Sequence, residues 1–430
     1  MRIGLYGGMA NNMYVLARAL ANAGADVRFV RDRGDQFPVS QPVWEDAEVT
    51  LAPAAAGPER WSPAAWTELE RAHGWAPPPW LHDPSEVSRR PSARALAVRV
   101  ALRAGLGGGG RGYLDAATAA LAPCDVLVVC GVEPLLLAAA LGRPFVLWPH
   151  GGDLRLAAGL AASTPGRCAA LRAPLLRLSL ARALRRAAWV GTHDPTVAGG
   201  HVGDVRDGLP WLRPRHLPLP LPGAPRPAPA ARRAAFEGLL TRLGAARPAG
   251  EVMLFVPSRL DFVWKGQDML LRAIARPGLE RIGLVLAGWG RDLPAVRTMI
   301  DDLGLARRVS LLPALVSKPL LLRLFAGADL VVDQFHFGAY GTAAVEAMAQ
   351  GAPVLMWLDE GAFRARGWRA PPVLLARDEA GIARTLADVA SGGIDLEAQG
   401  ALCARWAAEV HGPDAVVPGL IRDLAVAVGD

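Results

Sequence analysis

The segment Asp329–Trp357, DLVVDQFHFGAYGTAAVEAMAQGAPVLMW, decides the fold. An aliphatic run ending at Asp333 leads into an aromatic loop broken by glycines. An Ala/Val/Met stretch at helical spacing follows, and then a second aliphatic run, PVLMW. Strands that are apolar on both faces, joined through a helix, read as one βαβ unit of a parallel sheet. Glu346 is a lone carboxylate inside that helix. Thr342, Glu346 and Gln350 recur at i, i+4 and i+8, so a solvated stripe is the plain reading. With Thr342 as N-cap the third helical position is Val345, and a capping box is not formed.

The same alternation runs through the chain. RIGLY leads into a helix from Met9 to Ala23, with Gly24 suited to its C-terminal cap, and then DVRFV. DVLVVC, a short helix, PFVLW and AWVGT complete the first half. A proline-rich stretch, His216–Ala231, marks a boundary, because proline blocks regular pairing. EVMLFV, IGLVLAG, VSLLP, DLVVD and PVLMW then restart the pattern with helices between them. At 430 residues, two or three domains are expected. The expected organisation is α/β, with two Rossmann-like parallel-sheet domains facing across a cleft. Residues 1–217 form the N-terminal domain, 218–250 a linker and lead-in, 251–412 the C-terminal domain, and 413–430 a helix crossing back to the first.

Composition narrows the function. Hydrophobic residues make up 52% and charged residues 20%, which excludes a disordered chain. The net charge of +7 suits an anionic partner. The cations are scattered, however, and no zinc-finger, RNP or basic-zipper pattern is present, so nucleic acid is not expected. Only two of the 47 basic residues are lysines, Lys265 and Lys318, which gives each of them weight. Four cysteines without a CxxC predict buried thiols in a reduced compartment, with no metal site. The amino terminus carries no secretory pattern, and Glu133-Pro134 and Arg143-Pro144 interrupt the most apolar window, so a cytoplasmic protein is expected.

Leu175–Ala187 sets Leu176, Leu180, Ala183, Leu184 and Ala187 on one face and Arg177, Arg182, Arg185 and Arg186 on the other. Such a helix most often covers a sheet. A peripheral contact with an anionic membrane, at its inner face, is the alternative.

Ligands of open α/β sheets bind beyond the carboxyl ends of the strands. At those ends lie Gly7-Gly8, the PHGGD loop with His150, PSRLDFVWKGQ with Arg259 and Lys265, GWGRD, and QFHFGAYG. Gly7-Gly8 lacks the G-x-G-x-x-G fingerprint, which argues against a nicotinamide enzyme. Arg259 and Lys265, between a strand and a helix, suit a diphosphate leaving group. Gly338, Ala339, Tyr340 and Gly341, before Thr342, can present backbone N–H groups to an anion. Glu346 can accept two hydrogen bonds from a vicinal diol such as a ribose.

PSRLDFVWKGQDMLLRAIA, LVLAGWG and GTAAVEAMAQGAPVL, in that order, resemble the donor domain of the family-four retaining glycosyltransferases of GT-B fold. YGG, LARALANAGADVRFV and PHGGD resemble the other half of that fold more loosely. The resemblance implies that Arg259 and Lys265 contact the donor diphosphate and that Glu346 binds the ribose. It implies that Gly341 is the loop glycine, that His150 lies near the transferred sugar, and that Gly8 is the glycine turn. One position departs: the family usually carries a glutamate eight positions before the second, and here it is Gly338. Asp333, His336 or loop backbone are the candidates to take its place.

The implied reaction moves a sugar from a nucleotide diphosphate sugar to a hydroxyl acceptor (a lipid, a glycan or a natural product) with retention. No metal or cofactor is implied. The rivals are another GT-B enzyme, such as a sugar-nucleotide epimerase or a phosphorylase, and a non-catalytic nucleotide-sugar-binding homologue.

Overall fold

The aliphatic runs form strands, and nearly all of them pair in parallel. In the computed structural model these are β1 (Arg2–Gly7), β2 (Asp26–Val30), β3 (Thr50–Leu51), β4 (Leu81–His82), β5 (Val126–Cys130), β6 (Phe145–Leu147), β7 (Trp189–Thr192) and β8 (Arg215–His216). They continue as β9 (Val252–Val256), β10 (Ile282–Ala287), β11 (Val309–Leu312), β12 (Leu315–Val316), β13 (Leu330–Val332), β14 (Val354–Met356) and β15 (Leu374–Leu375). The residues described are 1–8, 11–31, 40–52, 63–83, 98, 113–149, 152–159, 167–193, 195 and 208–429.

The chain divides into two units. One comprises Met1–Pro42, Gly74–Pro220 and Asp414–Asp430; the other comprises Val43–His73 and Leu221–Pro413. The first unit holds the sheet β4-β2-β1-β5-β6-β7-β8, the second the sheet β11-β10-β9-β13-β14-β15, and every neighbouring pair in both is parallel. The terminal helix Pro413–Gly429 thus groups, almost entirely, with the first unit. The expected first domain runs unbroken to 217, whereas Val43–His73 groups with the second unit. Its β3 pairs antiparallel with β12, and the Ser317 hydroxyl accepts from the Val49 amide at 2.8 Å.

In the first unit, Gly24 takes φ +82° just after the helix Asn12–Asn22, the left-handed cap that glycine permits. Val126–Leu147 is strand, helix and strand, and no helix among the described residues is long and apolar enough to cross a membrane. The helix Arg167–Arg186 buries Leu176, Leu180, Ala183 and Leu184 in the core of the first unit, which is the apolar face read from the sequence. Cys124, Cys130 and Cys403 are buried, and burial pushes the Cys124 and Cys403 thiols up to about 11, which leaves them protonated and unreactive.

Burial, aided by the charge of His193, lowers the pKa of His216 from 6.5 to about 4. The unfolded chain therefore takes up a proton that the folded chain refuses, and the stability present above pH 6.5 is lost as pH falls towards about 4. Thermal melts across that window should show the loss, and His216→Asn should flatten it.

The proline-rich stretch seats part of itself in the second unit. Leu221 is buried, and Arg226 donates to the carbonyls of Ala328 (2.7 Å) and Asp329 (3.2 Å). On the helix Pro229–Arg242, buried Arg232 lies 3.1 Å from Asp329 and 2.8 Å from Glu397. Asp329 also accepts from the Met253 amide at the start of β9. Because Glu397 is half-exposed, that ion pair is partly screened. Arg232→Ala should cost about 2 kcal/mol in urea unfolding of this unit, mainly through the carboxylate left behind.

Candidate active site

In the second sheet β9 lies between β10 and β13, so the strand order reverses at the β9/β13 pair. The loops leaving such a switch point splay to opposite faces and open a crevice at the carboxyl ends of the strands. Pro257–Gly266 follows β9 and Asp333–Gly341 follows β13, so the predicted cations and the predicted glycine loop become neighbours. The contacts join them directly. Lys265 Nζ sits 3.3 Å from Asp333 Oδ1, and the Phe335 amide donates to the Lys265 carbonyl at 3.2 Å.

Each loop is held by a buried amide side chain. Gln267 Nε2 donates to the Arg259 carbonyl (2.9 Å) and to the Ser258 hydroxyl (3.2 Å), and its Oε1 accepts from the Asp261 amide (3.2 Å). Gln334 Oε1 accepts from the Phe337 amide at 2.6 Å, and its Nε2 donates to the Ala339 carbonyl. Backbone fixed in this way presents its groups with little to reorganise on binding.

The electrostatics place acids inside and cations outside. Asp261, with a side chain 5% exposed, receives Arg291 at 2.7 Å and Arg259 at 3.5 Å, whose side chains are 54% and 49% exposed. Asp333 is 1% exposed and holds Lys265, which is 25% exposed. An anion approaching this edge meets ammonium and guanidinium groups, while the carboxylates that orient them lie behind. Sequence reading passed over Arg291. The signal was available, since it stands in GWGRD directly after a strand. Gly290 lets that loop close up: its φ is +128°, and a Cβ there would lie 2.4 Å from the Leu260 backbone.

The helix Thr342–Ala349 starts from Gly341, which supplies no capping side chain. Its first N–H groups are therefore left for another acceptor. Glu346 is 4% exposed and Gln350 7% exposed, so the stripe on which they lie is not a solvated one. Glu346 Oε1 instead accepts from Lys318 Nζ at 2.5 Å. Lys318 is the second residue that sequence reading missed, although the scarcity of lysine had marked it. Tyr340 turns its ring inward, against Phe363 and Trp406, with its hydroxyl 3.2 Å from His411 Nε2. Its backbone is what it offers the loop.

Gly338 has a structural cause. Its φ is +70°, and a Cβ would lie 2.4 Å from the Trp357 ring, whose face is covered by Arg377 at 4.6 Å. The loop thus has no room for a side chain at the position of the missing carboxylate. Of the proposed substitutes, Asp333 is engaged with Lys265, and His336 packs against Gly266.

In the first unit Gly7 takes φ +96°, where a Cβ would lie 1.9 Å from the Cys130 carbonyl oxygen, so only glycine fits where β1 ends beside Cys130. Gly8 is half-buried with open space beside it. Asn11 holds φ 62°, and its side chain donates to the Gln41 carbonyl at 3.0 Å, a strained turn the sequence did not flag. His150 lies outside the described residues.

Two parallel-sheet α/β domains of this kind define the GT-B fold of glycosyltransferases. Residues 251–391 match the family Glycosyl transferases group 1. The D-inositol 3-phosphate glycosyltransferase of Mycobacterium marinum is 37% identical over 120 residues, 27% of this chain and 24% of that protein. The enzyme of the same name from Mycobacterium ulcerans is 36% identical over 120 residues, 27% and 25% of the two chains. The chain thus spans about a quarter of the length of the curated relatives it matches. HepE of Anabaena, solved with UDP and glucose, superposes with TM-score 0.59 at 16% identity, covering 99% of this chain and 100% of that one. Sucrose-phosphate synthase of Thermosynechococcus elongatus gives TM-score 0.61 at 15% identity, covering 99% and 100%.

Proposed function

We propose that the chain is a glycosyltransferase that moves a sugar from a nucleotide diphosphate sugar to an acceptor hydroxyl with retention of anomeric configuration. The observation that carries this is the meeting of the two switch-point loops with the loop after β10, which sets Arg259, Lys265 and Arg291 outward on buried acids beside an uncapped helix. That arrangement suits a diphosphate whose charge grows as the anomeric bond breaks. HepE, solved with UDP and glucose, supports a nucleotide donor, and the inositol-phosphate glycosyltransferases support glycosyl transfer. In this reaction the bond between the anomeric carbon and phosphate oxygen breaks, the acceptor oxygen bonds to that carbon on the same face, and its proton goes to the departing phosphate. In this reading Glu346 binds the ribose, and Gly341 and Thr342 meet phosphate. The reaction so drawn uses no metal or cofactor.

Incubation with a panel of nucleotide sugars and simple hydroxyl acceptors tests this. Nucleoside diphosphate release with a product of unchanged anomeric configuration by NMR is expected. An inverted product would refute retention, and an epimerised nucleotide sugar without transfer would favour the epimerase reading. Glu346→Ala should weaken donor binding by about tenfold or more, because a hydrogen bond to a charged group is lost; a helix tolerates alanine, so a cooperative fold should remain despite the cost of removing the carboxylate 2.5 Å from Lys318. Loss of folding in that variant would make Glu346 structural.

We also propose that the Leu175–Ala187 helix touches an anionic membrane at its inner, cytoplasmic face. Leu175 and Leu178 are exposed beside Arg182 and Arg186, whereas Arg185 stacks on Trp211 and Arg177 packs on Gly159. Sedimentation with anionic vesicles should fall with salt and with Leu175→Ser/Leu178→Ser. No sedimentation at low salt would refute the contact.

A further inference from the structure

Lys318 stands between two buried carboxylates. Its Nζ is 2.5 Å from Glu346 Oε1 and 3.9 Å from Glu45 Oε1, with the acids 4% and 3% exposed at their side chains. Glu45 belongs to the short helix Val43–Asp46, far from the other two in sequence. It reaches them because Val43–Leu51 is stitched into the second unit. β3 pairs with β12, the Ser317 amide donates to the Val49 carbonyl at 2.9 Å, and Lys318 opens the helix Lys318–Gly327 immediately afterwards.

We propose that Lys318 and Glu45 are positioning residues for the diol grip of Glu346, and so set the preference of the donor site for a ribose over a deoxyribose. The proposal rests on the reading of Glu346 as the ribose ligand. Lys318 commits Oε1 of Glu346 to the protein, while Oε2 carries no protein hydrogen bond among the described residues. One oxygen is thereby anchored and the other is left for a hydroxyl donor. Glu45 adds a second, longer contact to the same ammonium at 3.9 Å, which ties Lys318 to the site.

Two features favour a positioning role over a merely cohesive one. Buried ionic clusters are seldom the most stable way to join two elements, and apolar side chains of the same volume do it as well or better. The chain also writes nearly every other cation as arginine. Both of its lysines sit on buried carboxylates of this one unit, Lys265 on Asp333 and Lys318 on Glu346. A compact ammonium can bridge two carboxylates from one atom, which the planar fork of arginine does poorly.

The test measures affinity by titration calorimetry for uridine, guanosine and adenosine diphosphates and for their 2′-deoxy forms. It compares wild type, Glu346→Gln, Lys318→Met and Glu45→Gln, each checked for a cooperative melt. The diphosphate that binds wild type best should exceed its deoxy form by about tenfold or more, the size expected for a hydrogen bond to a charged group. Glu346→Gln should abolish that preference, Lys318→Met should remove most of it, and Glu45→Gln should reduce it several-fold. Retention of the full preference in folded Lys318→Met and Glu45→Gln, with Glu346→Gln losing it, would overturn this inference and leave the ribose reading standing. Retention in Glu346→Gln, or no binding of any diphosphate to wild type, would overturn the ribose reading and this inference with it. Should Lys318→Met not fold, Glu45→Gln decides alone.

Discussion

Lys265→Ala should lower turnover by about a thousandfold while leaving the second unit folded, the scale seen when one preorganised group facing developing charge is removed. The fall should appear chiefly in kcat, since the charge on the leaving diphosphate grows only as the bond breaks. The variant also strips the partner from Asp333, whose side chain is 1% exposed and whose Oδ2 has no hydrogen bond among the described residues. A loss of about 1–3 kcal/mol in stability is therefore expected alongside the kinetic effect. The double variant Lys265→Ala/Asp333→Asn separates the two. It should recover stability, because no buried charge is left uncompensated, and it should stay inactive. Recovery of activity in the double variant would show that Lys265 serves only to neutralise Asp333.

Restoring a carboxylate at the departing position, Gly338→Glu, should destabilise the second unit by about 4 kcal/mol. A left-handed backbone costs a side chain about 1–2 kcal/mol, and forcing a Cβ to 2.4 Å from the Trp357 ring adds an overpacking cost of about 1–3 kcal/mol. Adding Trp357→Ala should return part of that stability, because it removes the clash but not the backbone strain. Urea unfolding of the single and double variants measures both terms. If Gly338→Glu unfolds as wild type does, the loop is free to rearrange, and the glycine is not enforced by its surroundings.

Much of this was legible in the residues themselves. Runs such as Val126–Cys130 and Ile282–Ala287 are apolar throughout because both faces of a parallel strand are covered, so the longer strands could be read directly, whereas the two-residue strands β3, β4, β8, β12 and β15 were too short to leave a pattern. The strand-end rule then picked Arg259, Lys265 and the Gly338–Gly341 loop, because chain direction fixes which end of a strand a loop leaves. Long-range pairing was not legible. Nothing in the composition of Val43–Leu51 announces that it joins β12, a strand more than 260 positions later, since a two-stranded ladder needs few residues. The burial of Glu346 was hidden for a related reason. Its spacing with Thr342 and Gln350 fits a wet stripe equally well, and only Lys318, brought in by another helix, makes a buried carboxylate tolerable. Arg291 stood within reach of the strand-end rule in GWGRD, but the sequence does not show that its guanidinium reaches Asp261, 30 positions earlier, at 2.7 Å.

The central claim, that this unit holds a nucleoside diphosphate through its ribose and phosphates, is tested most directly by a thermal-shift panel. Uridine, guanosine, adenosine and thymidine diphosphates would be compared on wild type and Glu346→Ala, because a ligand that binds only the folded state raises its melting temperature. A clear rise with one ribonucleoside diphosphate, diminished in the variant, is the predicted result, and it names the donor class. No rise with any of them on wild type would contradict the account.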